Sequence, residues 1–260
     1  MSNKNDSMEK IEQLKSVFRC IDNTTLEGND TRVKVEHLCR RSLEMQDQAK
    51  GIGHVAAVCV YPVFVKDARR YLQGSGINVA SVAGAFPAGQ SPIAVKMAEV
   101  QYAVDEGAEE IDMVLSRGAL LEGDFQRVVD EVSAIRQITE GLTLKVILET
   151  GELPSREWIT KAAELAIEGG ADFIKTSTGK IAVGATLEAA DAMLYVIKKH
   201  HEATGKWVGF KAAGGISNAD EVLKYRQLVC SIVGEKQTTN QFFRIGASRL
   251  TECLFSILTQ

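Results

Sequence analysis

Three lysines lie inside apolar segments that are short enough to be β-strands. Lys145 stands in Leu-Lys-Val-Ile-Leu, Lys175 in Phe-Ile-Lys-Thr and Lys211 in Val-Gly-Phe-Lys-Ala. Burying an ammonium group costs free energy unless the group is paired or gives up its proton. A single lysine of this kind is explained if its methylene chain packs against apolar residues while its ammonium group reaches solvent. Three of them, together with Asp112 in Glu-Ile-Asp-Met-Val, predict a shared polar pocket.

Paired lysines in one pocket are suited to covalent chemistry on a carbonyl group. A second ammonium within about 4 to 6 Å lowers the pKa of a lysine, as does desolvation, and the neutral amine is the form that attacks a carbonyl. An acid such as Asp112 can pass protons through a water during carbinolamine dehydration and C–C bond cleavage. The same groups can hold an anionic substrate without a covalent step, so the residue pattern leaves both interpretations open.

Three loops rich in glycine and hydroxyl residues indicate a phosphate site. They are Thr176–Lys180, Ala213–Ser217 and Gly246–Ser248. Glycine lets backbone N–H groups approach an anion closely, and a helix N-terminus adds favourable partial charge. One such loop is explained as an ordinary turn. Three of them, each following a predicted strand, favour a ligand that carries phosphate.

The elements that must position these residues form a repeating strand-then-helix pattern. Short β-branched runs alternate with longer segments of helical spacing, such as the stripe Ile93, Met97, Val100 and Val104. The predicted strands are Phe18 to Asp22, Val55 to Val60, Asn78 to Val82, Glu110 to Leu115, Leu144 to Glu149, Asp172 to Thr176, Val208 to Lys211 and Phe243 to Gly246.

Eight such units in 260 residues predict an α/β fold, a single (β/α)8 TIM barrel over residues 1–260. The phosphate-binding G-x-G-x-x-G of a doubly wound sheet does not occur in the sequence. Residues 1–13 are expected to be a peripheral N-terminal extension. Asp112 and Lys175 fall at matching points of two similar segments, Gly107–Asp112 and Gly170–Lys175. Alternate strands of a barrel share an interior layer, so these two side chains are expected to meet near the C-terminal mouth.

Composition restricts the partners and the compartment. The net charge is −4 and the apolar content 45%, so no basic surface favours nucleic acid or an anionic membrane. The longest apolar run is too short to cross a bilayer. The five cysteines are odd in number and form no C-x-x-C pair, which argues against disulfides and a zinc site. A cytoplasmic protein without a metal or another cofactor is expected.

The sequence resembles the deoxyribose-phosphate aldolases, a family of class I, Schiff-base aldolases with a (β/α)8 barrel. The Phe-Ile-Lys-Thr-Ser-Thr-Gly-Lys stretch is the most specific part of this likeness, which covers nearly the whole chain. The segments that carry it are Ile21–Leu26, Ala56–Pro62, Glu110–Val114, Leu144–Leu153, Ala171–Lys180, Gly209–Gly215 and Arg244–Ser248.

The resemblance implies reversible, metal-free cleavage of 2-deoxy-D-ribose 5-phosphate to acetaldehyde and D-glyceraldehyde 3-phosphate. It places Lys175 on the Schiff-base lysine, Lys211 on the lysine that perturbs it and Asp112 on the acid of the proton relay. It also assigns a set of substrate-binding positions. These are Asp22, Leu26, Lys145, Thr178, Gly179, Lys180, Gly214, Gly215, Gly246 and Ser248.

Some residues depart from the family pattern or are set aside. Arg249 follows Ser248 where a second serine is common, and its guanidinium either binds phosphate or faces solvent. Cys59 is interpreted as a buried, unreactive thiol, and the acidic run Glu106, Glu109 and Glu110 as a solvated loop.

Two other functions stay open on the sequence alone. One is a related lysine aldolase or transaldolase with another sugar phosphate. The other is a sugar-phosphate sensor without catalysis. Barrels of this kind often form homodimers, but the sequence identifies no interface.

Overall fold

The computed structural model describes residues 2–48 and 51–259, and its centre is a closed barrel of eight parallel strands. Each strand pairs with the next, and the first and last strands close the ring. The predicted (β/α)8 TIM barrel is therefore confirmed. The strands are β1 (Ile21–Thr24), β2 (Ala57–Val60), β3 (Asn78–Ala83), β4 (Glu110–Val114), β5 (Thr143–Ile147), β6 (Phe173–Lys175), β7 (Gly209–Ala213) and β8 (Phe243–Ala247).

Helices surround the barrel and cover the outward side chains of the strands. Val58, Val146 and Ile174, for example, are fully buried beneath them. The helices are α1 (Ser2–Phe18), α2 (Arg32–Gln48), α3 (Val65–Leu72), α4 (Ile93–Asp105), α5 (Arg117–Leu121), α6 (Phe125–Ile138), α7 (Arg156–Glu168), α8 (Leu187–Thr204), α9 (Ala219–Val233) and α10 (Leu250–Leu258). Among the described residues, no helix has the length and apolar character needed to cross a membrane.

The first strand begins later than the sequence predicts. Phe18 is the last residue of α1, and β1 starts at Ile21, so the prediction of a strand from Phe18 is wrong. The physical reason is that Leu14, Val17 and Phe18 are spaced as one helical face, and all three are buried. This face packs α1 against α9 and α10. Residues 8–13 of the same helix have no buried side chain.

The buried face of α4 is also rotated from the predicted stripe. Lys96, Val100 and Ala103 are buried, whereas Ile93 and Met97 are only half-buried. A lysine occupies this face because its Nζ lies 2.8 Å from Glu131 Oε2 of α6. Apolar periodicity does not anticipate a buried ion pair, so the stripe predicted from apolar residues was displaced by one position.

The barrel interior is divided into an apolar half and a charged half. Small apolar side chains fill the side formed by β2 and β3, including Ala57, Cys59, Ala80 and Val82. The interior of the remaining strands carries charged side chains that are almost completely buried, such as Asp22 and Lys145. Because small residues line one side, the charged groups of the other side have room to meet at the barrel axis.

Candidate active site

Strand register brings the predicted catalytic residues together. Lys175 is the last residue of β6 and stands beside Lys211 of β7. Asp112 of β4 likewise stands beside Lys145 of β5. Side chains alternate across a strand, and these four face the barrel interior near the C-terminal ends of their strands.

Asp112 is the centre of a buried ion-pair network. Its Oδ2 accepts hydrogen bonds from Lys175 Nζ at 2.8 Å and from Lys211 Nζ at 2.7 Å. Its Oδ1 accepts from Lys145 Nζ at 2.6 Å. Lys211 also donates to Asp22 Oδ2. Lys175 is 3% exposed and the other four are 0% exposed, so these charges interact with little screening by solvent.

The surroundings shift the pKa values of the two neighbouring lysines in opposite directions. Burial lowers the pKa of Lys175, and the nearby Lys211 ammonium lowers it further, against the opposing effect of Asp112. Burial acts in the same direction on Lys211, but Asp112 and Asp22 together outweigh it and raise its pKa. Burial would raise the pKa of Asp112, yet the lysines around it hold that pKa well below its usual range. Lys175 is therefore the lysine most ready to give up its proton, and Lys211 remains an ammonium.

A cavity of about 300 Å³ opens above Lys175 at the C-terminal mouth of the barrel. Its walls come from the loops after β1, β6, β7 and β8. Gly214 and Gly215 adopt φ angles of 87° and 85°, a left-handed conformation that glycine adopts without steric cost. Ser248 and Arg249 line the cavity and directly precede α10, so the N-terminal end of that helix faces the space.

Glu149 orders the loop that follows β6. It is fully buried and has a φ of 55°, a left-handed conformation that is uncommon for residues other than glycine. Its carboxylate accepts hydrogen bonds from the backbone N–H of Thr178, at 3.1 Å, and from the Thr178 hydroxyl. The hydroxyl oxygen in turn accepts from the backbone N–H of Lys180 at 3.1 Å. The contacts of one buried carboxylate therefore fix the turn that presents Lys180 to the cavity.

An ion pair crosses the mouth of the cavity. Lys180 Nζ lies 3.0 Å from Glu27 Oε1, in the loop after β1. The Lys180 side chain is 23% exposed and that of Glu27 is 64% exposed. An anion that enters the cavity therefore competes with Glu27 for the Lys180 ammonium.

The predicted site residues occupy two levels. Asp22, Asp112, Lys145 and Lys211 lie in the buried network beneath the cavity floor, where Lys175 connects the two levels. The other predicted positions line the cavity itself. These are Leu26, Thr178, Gly179, Lys180, Gly214, Gly215, Gly246 and Ser248. A Cβ on Gly246 would approach Lys211 Cε to 3.2 Å, so this glycine also leaves space for the second lysine.

Two charged residues of the network were not anticipated. Glu110 was expected on a solvated loop, and this is wrong: it is fully buried on β4, with Oε2 2.5 Å from Lys145 Nζ. Arg244 of β8 is paired with it and with Asp22. The signal was present, because Glu110 precedes Asp112 by two residues on one strand and so points to the same side.

The remaining candidates outside the network give no further reactive group. Cys59 is fully buried in the barrel interior, and burial raises the pKa of its thiol to about 11. A neutral thiol is a weak nucleophile. Within residues 2–48 and 51–259, no three His, Cys, Asp or Glu side chains are grouped so that they could hold a metal ion.

Comparison with known proteins defines the class to which this barrel belongs. The profile of the DeoC/LacD family of aldolases matches residues 16–229. The chain belongs to this family and is an aldolase, a lyase.

Individual relatives within this family carry a more specific name than the family does. The chain is 45% identical over 243 residues to the deoxyribose-phosphate aldolase of Mus musculus, which covers 88% of this chain and 76% of the mouse protein. The human deoxyribose-phosphate aldolase is 42% identical over 243 residues, with the same two coverages. The structure of the deoxyribose phosphate aldolase from Aeropyrum pernix, described as a tetramer, superposes with a TM-score of 0.72 at 25% identity, covering 96% of this chain and 97% of that one.

Proposed function

We propose that this aldolase reversibly cleaves 2-deoxy-D-ribose 5-phosphate to acetaldehyde and D-glyceraldehyde 3-phosphate through a Schiff base on Lys175. One observation carries the proposal: Lys175 shares the Asp112 carboxylate with a second lysine at the floor of the mouth cavity. Burial and Lys211 favour the neutral, nucleophilic form of Lys175. The names of the mouse and human relatives support the choice of substrate.

The reaction begins when neutral Lys175 Nζ attacks C1 of the open-chain sugar. The resulting carbinolamine loses water to give a protonated imine. Loss of the C3 hydroxyl proton then turns C3 into the aldehyde carbon of D-glyceraldehyde 3-phosphate, which leaves as the C2–C3 bond breaks. The electron pair of that bond moves into the imine and gives an enamine. Protonation at C2 and hydrolysis release acetaldehyde and restore the lysine. Asp112 and Lys211 are the proposed proton carriers in these steps, together with a water, because the Asp112 carboxylate accepts hydrogen bonds from both Lys175 and Lys211.

The cavity walls are proposed to hold the phosphate group. Thr178, Gly179 and Lys180 face it from the loop after β6, Gly214 and Gly215 from the loop after β7, and Gly246 and Ser248 from the loop after β8. Leu26 lines the cavity from the loop after β1. Lys145 and Asp22 act from beneath, since both are fully buried within the network.

Borohydride trapping tests the proposal. Acetaldehyde or the sugar phosphate is incubated with the protein, the imine is reduced, and intact mass and peptide mapping locate the adduct. An adduct on the peptide that contains Lys175 is expected, and Lys175→Arg is expected to abolish both adduct and turnover. Lys199→Arg, a change at an exposed lysine of α8, is the matched control. Substantial turnover by Lys175→Arg would overturn the assignment.

Substrate comparison separates the alternatives left open by the sequence. Faster cleavage of deoxyribose 5-phosphate than of fructose 6-phosphate or a longer ketose phosphate is expected. The reverse order would indicate a related lysine aldolase. Thermal stabilisation by sugar phosphate without any turnover would indicate a sensor.

We infer further that residues 1–260 form a single domain and that the chain works as a cytoplasmic homodimer without a cofactor. The five cysteines are free thiols, which fits a reducing compartment. Closed symmetric assemblies are common among soluble enzymes, and the Aeropyrum pernix relative is described as a tetramer. Light scattering of the purified protein decides the oligomeric state. Removal of residues 1–13 tests whether they are peripheral.

A further inference from the structure

A second ion pair lies below the catalytic lysines and has no part in the mechanism above. Arg244 of β8 donates from Nη1 to Glu110 Oε2 at 3.1 Å and from Nη2 to Glu110 Oε1 at 3.0 Å. Arg244 is 6% and Glu110 0% exposed. The guanidinium also lies over the ring of Phe173, 5.6 Å from its centre. A bidentate pair held on several sides has a fixed geometry.

Each member of this pair contacts a different part of the active-site network. Glu110 Oε2 lies 2.5 Å from Lys145 Nζ, which donates in turn to Asp112. Arg244 Nη1 donates to Asp22 Oδ1 at 2.7 Å, which leaves the other oxygen of Asp22 to accept from Lys211. Two short chains of ion pairs therefore connect the Glu110–Arg244 pair to the carboxylate that Lys175 shares.

The network contains one more basic group than acidic groups. Its members are the cations Lys145, Lys175, Lys211 and Arg244 and the carboxylates Asp22, Glu110 and Asp112. Arginine does not lose its proton in proteins, so the buried surplus of positive charge is relieved at a lysine. Within the described part of the chain, Lys145 is paired with three carboxylates and Lys211 with two, whereas Lys175 is paired with one.

We propose that Glu110 and Arg244 are a positioning pair: by orienting Lys145 and Asp22 from below, they cause the network to relieve its surplus positive charge by loss of the Lys175 proton. This inference rests on the proposed Schiff base at Lys175. The titratable groups that face Lys175 itself are Asp112, Lys211 and the Cys59 thiol. Glu110 and Arg244 act through those groups and do not contact the reacting atoms.

Neutralising each member of the pair has an opposite consequence for Lys175. Arg244→Gln removes a cation, so the Lys175 ammonium is better tolerated and its pKa rises. Glu110→Gln removes an anion, so that pKa falls, and Asn78 Nδ2, 2.8 Å from Glu110 Oε1, can still donate to the amide oxygen. A unit charge at about 10 Å, with an effective dielectric constant of about 20, shifts a pKa by about one unit.

The test is the pH dependence of imine trapping with acetaldehyde in the full-length chain. Lys175 attacks as the free amine, so the rate rises with pH through the pKa of Lys175. We expect the midpoint of this rise to move up by about one pH unit in Arg244→Gln and down by about one unit in Glu110→Gln. The double variant is expected to return towards the wild-type midpoint, because it removes one charge of each sign. Arg244→Lys keeps the charge but loses the bidentate geometry, so its midpoint is expected to lie between those of the wild type and Arg244→Gln.

The outcomes separate this inference from the proposed function. Absence of a Lys175 adduct in the wild-type protein would overturn the Schiff base and the inference with it. A wild-type adduct with unshifted midpoints in both single variants, or with shifts in the same direction, would overturn only the positioning role and indicate that the pair stabilises the fold. If Arg244→Gln does not fold, Glu110→Gln and Arg244→Lys still test the positioning role. A lower pH midpoint of imine trapping in Glu110→Gln but not in Arg244→Lys supports that role. Equal midpoints in the two variants contradict it.

Discussion

Lys175, Lys145 and Lys211 are alike in type and burial but not in chemistry, and the number of carboxylates around each explains the difference. Lys145 contacts Asp112, Glu110 and Asp22, and these outweigh burial to raise its pKa. Lys175 contacts Asp112 at 2.8 Å, and burial together with Lys211 lowers its pKa. Lys175, the proposed nucleophile, thus differs from the other two lysines in being paired with fewer carboxylates.

Lys211→Met tests the effect of the second ammonium on Lys175. Its removal takes away a like charge that lowers the pKa of Lys175, so this pKa rises and less free amine is present at neutral pH. We expect the turnover number at pH 7 to fall by roughly 10²- to 10⁴-fold, since a proton donor is also lost. The pH at which imine trapping is half-maximal is expected to move upwards.

Lys211→Arg is the matched control, because it retains the positive charge. Imine trapping by this variant is expected to keep the wild-type pH midpoint even where turnover falls. An unchanged midpoint in Lys211→Met would contradict the electrostatic role of Lys211.

At the scale of single residues, the sequence predicted that three buried lysines share a pocket with Asp112, and it missed the groups that support them. Lys145, Lys175 and Lys211 could be recognised from the sequence because lysine is rare within apolar, strand-like segments. Glu110 was misread because it ends an acidic run at a loop, and its burial depends on Lys145 and Arg244 from other strands. Pairings between distant strands have no local signature in the sequence.

At the scale of elements, the loop after β6 depends on one hydrogen-bonded side chain. Thr178→Val removes the hydroxyl that donates to Glu149 and accepts from the Lys180 N–H. The buried carboxylate then loses a donor, which costs about 1 to 3 kcal/mol of stability. Because the turn that holds Lys180 is loosened, KM for the sugar phosphate is expected to rise about tenfold while kcat changes little, a loss of roughly 1.4 kcal/mol in binding.

Urea unfolding and steady-state kinetics measure the two effects of Thr178→Val. Thr178→Ser keeps the hydroxyl and is expected to retain the wild-type KM. A large fall in kcat at unchanged KM in the valine variant would show that the loop serves the chemical step and not binding.

The ion pair between Glu27 and Lys180 gives a second prediction at this scale. Glu27→Gln frees the Lys180 ammonium for an incoming phosphate, so KM for deoxyribose 5-phosphate is expected to fall. The Glu27 side chain is 64% exposed, and exposed ion pairs contribute about 0 to 1 kcal/mol, so the change is at most about fivefold. Unphosphorylated deoxyribose, which has no anion to compete for Lys180, is the control substrate and is expected to react at an unchanged rate. An equal change for both sugars would contradict competition at Lys180.

The order of elements was more predictable than their ends. All eight strands were predicted close to their positions because β-branched runs and turn residues are local signals. The start of β1 was misplaced because Val17 and Phe18 suit a strand as well as a helix, and contacts of α1 with α9 and α10 decide between them. Lys96 displaced the predicted face of α4 for the same reason, since Glu131 lies on another helix.

For the whole molecule, the buried carboxylates make stability depend on pH in acid. Asp22, Glu110 and Asp112 have pKa values below their ordinary ranges, since their cationic partners outweigh burial. A group with a depressed folded-state pKa stabilises the protein fully above its unfolded-state pKa, about 4 for these acids, and loses that contribution as the pH falls through the folded-state value. The free energy of unfolding, measured with urea, is therefore expected to be flat near pH 6 and to fall steeply below about pH 4.

Two variants test whether the buried network causes this acid sensitivity. Glu36→Gln, at an exposed ion pair on α2, is expected to leave the fall unchanged. Asp112→Asn is expected to reduce it, because one of the protons that drives unfolding is no longer taken up. A fall of equal steepness in Asp112→Asn would place the source of acid sensitivity outside the barrel interior.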